Sequence, residues 1–115
     1  MADEDKVLVL DIFNRFDLEI QSGRSGIKRE IKVSDIKRPG IELAGFWKHF
    51  APERVNLIGR TELSFLRGLD ERILKERIEE YVDYNPVCII VARGELIPDY
   101  LLERADQKGK LCSTN

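Results

Sequence analysis

One stretch restricts the possible folds more than any other: the run PVCIIVARG at residues 86–94. A strand with one solvated face alternates apolar and polar side chains, but residues 87–92 are apolar without a break. A continuous run of this kind is typical of a central strand that is covered on both faces. Helices packed on a mostly parallel sheet provide that cover, so the run favours an α/β fold.

The segment before this run, LDERILKERIEEYVDY at residues 69–84, predicts an amphipathic helix. Asp70 stands at the position of an N-cap, and the remaining residues are mostly charged. An amphipathic helix that leads into a buried strand is the repeating unit of an α/β domain. The apolar stripe of this helix consists of Leu69, Ile73, Leu74, Ile78, Tyr81 and Val82.

The other segments after residue 50 continue the alternation of strand and helix. RVNLIG at residues 54–59 predicts a strand beside the central one, and RTELSFLRG at residues 60–68 predicts a helix. IPDYLLERADQKG at residues 97–109 predicts a closing helix, and KLC at residues 110–112 predicts a last edge strand. The expected fold is therefore α/β, a layered sheet with flanking helices, in a single domain over residues 1–115.

The first half of the chain has weaker patterns. Residues 5–17 favour a helix over a strand because of their length and charged flanks. Residues 18–22 and 27–36 alternate apolar and polar positions around a Gly-Ser turn, which predicts a hairpin or two neighbouring strands. Helical spacing then predicts a helix ended by Pro52, with four side chains in the core: Leu43, Phe46, Trp47 and Phe50.

Composition excludes several classes of protein. The chain has 115 residues, 43% hydrophobic and 35% charged, which suits one globular domain. Its net charge of -2 predicts no general affinity for nucleic acid or anionic membranes, and no apolar run approaches the ~20 residues that cross a bilayer. The acidic start MADEDK lacks the layout of a secretory signal, so we expect a cytoplasmic protein.

The two cysteines are expected to be free thiols. Cys88 lies in the predicted central strand, where it would act as a packing group, and Cys112 lies near the C-terminal end, which is expected to fray. A cytoplasmic domain of this size rarely carries a disulfide.

Residues that could carry catalysis or bind a metal are sparse. The phosphate-binding pattern G-x-x-x-x-G-K-[ST] and the dinucleotide pattern G-x-G-x-x-G are missing, and SGRSG at residues 22–26 predicts only a turn. The single histidine, His49, lies off the apolar stripe, which favours a solvated side chain over a catalytic base. Adjacent carboxylates such as Glu79 and Glu80 are typical of a solvated helix face. We therefore expect no catalytic residue and no metal site.

The segment SDIKRPGIELAG combines polar side chains, a Pro-Gly turn and a helix start, where free backbone N–H groups can bind anions. Residues 28–38 are also rich in Lys and Arg, which could contact phosphate, although an exposed strand face explains them more simply. Asp35 and Glu42 are near enough in sequence to pair with Arg38. A second helix start follows at residue 60, with Thr61 as its predicted N-cap. The candidate ligand-binding or contact residues are Ser34, Asp35, Arg38, Glu42, Arg60, Thr61 and Glu62.

Three motifs together resemble the amino-terminal domain of bacterial HPr kinase/phosphorylase. They are SDI-RPG-ELAG at residues 34–45, PER…L-G-TELSFL at residues 52–66 and P-CIIV-RG…IP at residues 86–98. The likeness runs from about residue 10 to residue 109. It implies an α/β module similar to the amino-terminal domains of the Mur ligases.

The resemblance also implies a longer parent protein, in which a carboxy-terminal domain carries the P-loop and the chemistry. Such a parent phosphorylates a seryl residue of HPr, a phosphocarrier of the sugar phosphotransferase system, with ATP and magnesium. It reverses the step by phosphorolysis, controls carbon catabolite repression and assembles as a hexamer. This chain stops before any P-loop, so the family's catalytic residues map onto no position here and no cofactor is expected in this chain. The implied partners are the carboxy-terminal kinase domain, HPr and further copies of the protein.

Three functions remain open. A non-catalytic regulatory and assembly domain would have a flat apolar patch and self-associate. A sensor of a phosphorylated or nucleotide-linked small molecule would have a concave site where Arg38, Arg60 and helix N-termini converge. A stand-alone enzyme, the least supported of the three, would show a buried titratable pair with perturbed pKa values.

Overall fold

The computed structural model describes residues 6–32, 36–48 and 50–114. These residues form a mixed α/β fold with a five-stranded sheet and a separate two-stranded ribbon, as the class predicted from the sequence requires. The strands are β1 Val7–Leu8, β2 Glu19–Ser22, β3 Glu30–Ile31, β4 Ile36–Lys37, β5 Val55–Ile58, β6 Cys88–Val91 and β7 Cys112–Thr114. The helices are α1 Val9–Arg15, α2 Gly40–Leu43, α3 Arg60–Arg67, α4 Glu71–Asp83 and α5 Asp99–Gln107.

The five-stranded sheet has the order β2-β7-β6-β5-β4. Strands β4 to β7 run parallel, and β2 is antiparallel to β7 at one edge. The run at residues 86–94 supplies the middle strand, β6, as predicted. The prediction of an edge strand at residues 110–112 is wrong, because β7 lies between β6 and β2. A strand of three residues is too short for its pattern to show that both of its sides are paired.

The prediction of neighbouring strands at residues 18–22 and 27–36 is also wrong. β2 pairs with β7, whereas β3 pairs with β1 in the separate ribbon. The turn between them is a 3-10 turn that packs against the connection from α5 to β7, and a Cβ at Gly23 would lie 1.8 Å from the Lys110 carbonyl oxygen. Only glycine allows the turn to pack this closely against the connection. The chain then continues to β3 instead of folding back on β2 as a hairpin. Residues 33–35 lie outside the described residues.

The two faces of the sheet are covered unequally. Helices α3, α4 and α5 pack on one face, which we call the helix face, around Ile58, Ile89 and Val91. The opposite face packs against α1 and the two-stranded ribbon in a smaller core that includes Val9 and Val55. Each central strand therefore buries side chains on both faces, which explains the unbroken apolar run of β6.

Both cysteines are buried free thiols, as expected for Cys88. The expectation that Cys112 lies in a frayed end is wrong, because its side chain is fully buried on the helix face. Its position in an internal strand places it there.

The predicted helix over residues 43–50 is much shorter than expected. α2 ends at Leu43, and Gly45 takes a positive φ of 107°, which turns the chain out of helical geometry. Phe46 is consequently 65% exposed, so its prediction as a core residue is wrong. Trp47 is 8% exposed and reaches the core from the loop, with its ring centroid 5.4 Å from that of Phe50 and 5.0 Å from that of Tyr84.

The long helix and the closing helix form as predicted. Asp70 caps α4 by accepting a hydrogen bond from the Ile73 N–H at 2.9 Å. Gly109, with a φ of 67°, follows the end of α5. Among the described residues, no helix combines the length and apolar character needed to span a membrane.

Candidate functional site

The carboxyl ends of the parallel strands lie at one edge of the sheet, which we call the carboxyl edge. Ile58, Val91 and Thr114 occupy matching register positions at the ends of β5, β6 and β7. The turns that follow β4, β5 and β6 therefore lie along the same edge. Ligand sites of open α/β sheets typically form there.

Arg38 and Glu62 meet at the carboxyl edge. The Arg38 Nη2 lies 2.9 Å from the Glu62 Oε1, and the same oxygen accepts a hydrogen bond from the Gly59 N–H at 2.6 Å. A Cβ at Gly59 would lie only 2.8 Å from the Arg38 Nη2, so glycine leaves room for the guanidinium. Of the two carboxylates expected from the sequence as partners of Arg38, Glu42 pairs with Lys37 instead, and Asp35 lies outside the described residues.

Glu62 also occupies the N-terminal turn of α3. The N-cap of this helix is Gly59, so the prediction of Thr61 as N-cap is wrong, and Thr61 is exposed. Burial disfavours the charged form of the Glu62 carboxyl. The hydrogen bonds from Arg38 and the Gly59 N–H outweigh that effect and hold the pKa of Glu62 below its ordinary value. The helix N-terminus thus already carries a carboxylate from this chain.

Arg60 belongs to a second charged group, which joins α3 to the connection from β6 to α5. Its Nε lies 3.3 Å from one oxygen of Glu95, and the Arg67 Nη2 lies 3.2 Å from the other oxygen. The Glu95 side chain is 13% exposed, whereas that of Arg60 is 84% exposed. Sequence reasoning missed Glu95 and Arg67. The signal for Glu95 is its place in the turn directly after the central strand, at the carboxyl edge.

Glu42 forms a third group with Lys37. Its side chain is 2% exposed, and its Oε2 lies 2.8 Å from the Lys37 Nζ. The Oε1 of Glu42 is buried and accepts no hydrogen bond from the described residues. The pair connects α2 to the edge strand β4.

Among the candidate residues that the structure describes, Glu42, Arg60 and the Arg38–Glu62 pair belong to three separate ion-paired groups instead of one concave site. Ser34 and Asp35, like His49, lie outside the described residues. Within the described part of the chain, no group of three or more His, Cys, Asp or Glu side chains could hold a metal ion.

Two grooves of about 360 Å³ each lie away from the Arg38–Glu62 pair. The first, the carboxyl-edge groove, lies between α3, α4 and the connection from β6 to α5, and its lining is Arg67, Glu71, Leu74, Lys75 and residues 96–100. The second, the sheet-face groove, lies on the face opposite α3–α5. Its lining is Ile12, Phe16, Leu18, Ile36, Val55, Leu57 and Ile90. A third depression, of about 490 Å³, lies on the charged surface of α4.

Comparison with known proteins identifies the family of this fold. Residues 7–114 match the family model described as the HPr Serine kinase N terminus. The chain belongs to this family. The resemblance found in the three sequence motifs is thereby confirmed.

Curated relatives of this HPr kinase N-terminal family member are named HPr kinase/phosphorylase. The relative from Shouchella clausii is 43% identical over 104 residues, and so is the one from Halalkalibacterium halodurans. The relative from Bacillus mycoides is 41% identical over the same length. Each alignment covers 90% of this chain but 34% of the relative, so the chain spans about a third of the length of these proteins.

The motifs that characterise this HPr kinase N-terminal family member lie largely at the carboxyl edge. RPG follows β4, G-R-TEL forms the turn from β5 into α3, and RG-E-IP forms the connection from β6 to α5. The three motifs are far apart in the chain, but they lie along the same edge of the sheet.

Proposed function

We propose that this chain is the non-catalytic regulatory and assembly domain of a bifunctional HPr(Ser) kinase/phosphorylase. The observation that carries the proposal is the family match over residues 7–114, together with curated relatives that are named for this activity. In the proposed whole protein, a carboxy-terminal kinase domain uses ATP and magnesium to phosphorylate HPr and reverses the reaction by phosphorolysis. Through HPr the protein would regulate the sugar phosphotransferase system and carbon catabolite repression in the cytoplasm.

The sheet-face groove supports the assembly part of this proposal. Parallel sheets are normally covered on both faces, yet here Phe16 and Ile36 are 60% and 62% exposed beside half-buried Leu57 and Ile90. All lining side chains are apolar. A second copy of the chain seated on this groove would cover it, which is the self-association expected of an assembly domain.

A second candidate function, binding of a phosphorylated or nucleotide-linked small molecule, is favoured by Arg38. Its side chain is 54% exposed, and only its Nη2 contacts Glu62, so the other nitrogens can face a ligand. A guanidinium held at one nitrogen is suited to bind phosphate with the others. Titration with phosphate and with nucleotides, followed by NMR shifts of residues 36–40 and 59–62, tests this candidate, and Arg38→Ala should abolish any shift.

The main proposal is tested with a chimera in which residues 7–114 replace the matching segment of the Shouchella clausii HPr kinase/phosphorylase. The folded chimera should phosphorylate HPr with ATP and magnesium. The 115-residue chain alone should neither bind ATP tightly nor transfer phosphate, because the phosphate-binding pattern is missing from its sequence. Phosphorylation of HPr by the chain alone, or a folded chimera without activity, would contradict the proposal.

The assembly part is tested by sedimentation of the chimera over a range of concentrations. Phe16→Glu with Ile36→Glu should weaken association, because both changes place charge in the sheet-face groove. Phe46→Glu is the matched control, since Phe46 is equally exposed but does not line the groove. Equal behaviour of the double variant and the control would contradict assembly through this face.

A further inference from the structure

The connection from β6 to α5 carries an apolar side chain that no core of this fold covers. Leu96 is 79% exposed, although its neighbour Ile97 packs against the helix-face core. Leu96 borders the carboxyl-edge groove, where Leu74 and Tyr100 add apolar surface. With Ile97 and Pro98 these side chains line one groove, and a contiguous exposed apolar surface is typical of interaction sites.

The connection is held in place at the residue before Leu96. The Glu95 carboxylate accepts hydrogen bonds from Arg60 and Arg67 at 3.3 and 3.2 Å. The Glu95 N–H donates a hydrogen bond to the Ala92 carbonyl at 3.3 Å. Leu96 is therefore presented outward by an ordered turn. Because this turn is already ordered, binding of a partner to Leu96 costs this domain little conformational entropy, which favours docking.

The rim of the groove carries both signs of charge. Arg67 and Lys75 lie beside Glu71 and Asp99 around the apolar centre. Interfaces between domains of one polypeptide have this mixture of an apolar centre and a polar rim, and they are often small. A pocket for a strongly charged ligand would instead collect charges of one sign.

The last strand of the fold, β7, ends beside the strand that leads into this connection. Thr114 is in register with Val91, and the connection that carries Leu96 begins at the following residue. Neighbouring strands lie about 4.8 Å apart, so polypeptide that follows β7 starts at the carboxyl edge, one strand away from this connection. In the curated relatives, an N-terminal segment of this kind occupies only 34% of the length, so most of each protein lies beyond it.

We infer that the carboxyl-edge groove and Leu96 dock the catalytic part of the polypeptide that follows the N-terminal segment in the longer relatives. The inference rests on the proposed function. A covalently connected partner has a high effective concentration, so docking in this groove of about 360 Å³ requires only weak intrinsic affinity. The groove is then the surface through which this domain can bias the conformation of the kinase domain.

Hydrogen exchange of the Shouchella clausii chimera described above, compared with the 115-residue chain, tests this inference. Amides at residues 95–100 and 71–75 should exchange about tenfold more slowly in the chimera, the change that about 1.4 kcal/mol of docking produces. Leu96→Asp should remove this protection. Phe46→Asp, a matched change at an exposed apolar residue outside the groove, should leave it intact.

The outcomes separate this inference from the proposed function. A chimera that phosphorylates HPr but shows no groove protection overturns the docking and leaves the proposed function standing. Protection that survives Leu96→Asp also overturns it, because the docking would then not use Leu96. A chimera that folds without phosphorylating HPr overturns the proposed function.

Discussion

The phenolic O–H of Tyr81 donates a hydrogen bond to the Oδ1 of Asn56 over 2.9 Å, which connects α4 to β5 inside the helix-face core. Both residues are fully buried. The Asn56 side chain also donates to the Arg54 carbonyl at 2.8 Å. Because β5 leads directly to Gly59 and α3, this polar connection holds the strand that supports the carboxyl edge.

Tyr81→Phe should destabilise the protein by about 1–3 kcal/mol, because it leaves the buried Asn56 Oδ1 without its donor. Urea denaturation followed by circular dichroism measures the change. Tyr84→Phe is the matched control: its ring is 44% exposed, so loss of its hydroxyl should cost less than about 0.5 kcal/mol. Equal effects of the two changes would show that the Tyr81 hydroxyl contributes nothing specific.

Trp47→Ala should cost roughly 3–5 kcal/mol, because it empties the space between Phe50, Tyr81 and Tyr84. Phe46→Ala, one position earlier, should change stability by less than about 0.5 kcal/mol, since Phe46 is exposed. Circular dichroism is the appropriate probe because Trp47 is the only tryptophan. Similar losses at the two positions would contradict the observed end of α2 at Leu43.

Arg38→Ala should lower stability at neutral pH by roughly 1–2 kcal/mol, because it leaves Glu62, which is 7% exposed, without its cation. Arg60→Ala should cost less than about 0.5 kcal/mol, since Arg60 is mostly solvated. Thermal or urea unfolding of the two variants at one pH measures the difference. No loss from Arg38→Ala would indicate that solvent or another cation satisfies Glu62.

Acid should weaken the fold through the same pair. The pKa of Glu62 is lowered from 4.5 in the folded state, so its stabilisation is fully present above about pH 5 and is lost as the pH falls through the lower folded-state value. Glu62→Gln cannot titrate, so its stability should fall less steeply between pH 5 and 3 than that of the parent chain. The stability of the Glu62→Gln variant should still depend on pH through Glu79, whose pKa is lowered chiefly by the hydrogen bond from the Tyr100 hydroxyl. Identical pH profiles would contradict a lowered pKa at Glu62.

The two thiols should be inert in the native protein. Burial raises the pKa of Cys88 and of Cys112 to about 12, so neither forms an appreciable thiolate at pH 8. A thiol reagent such as DTNB should react with both cysteines in guanidinium and with neither before unfolding. Fast reaction at native pH 8 would show that β6 or β7 opens locally.

The central strand and the long helix could be predicted because each carries its own pattern. The apolar run of β6 and the stripe of α4 show which faces are buried, and burial of a face is visible within one segment. The family was likewise visible in motifs that keep their order along the chain. The sequence predicted the turns that contain Arg38, Gly59 and Glu62 separately, but it did not show that these residues are in contact.

The sequence by itself determined the α/β class, the positions of β5, β6, α4 and α5, and the family. Only the tertiary structure decided that β7 lies inside the sheet, that β2 and β3 belong to different sheets, and that Arg38 pairs with Glu62. The physical reason is that the pattern within a strand shows which of its faces is buried but not which strand it pairs with, and pairing partners far apart in the chain leave no local pattern. Arg38 and Glu62 are 24 residues apart, and parallel pairing of β4 with β5 brings them together.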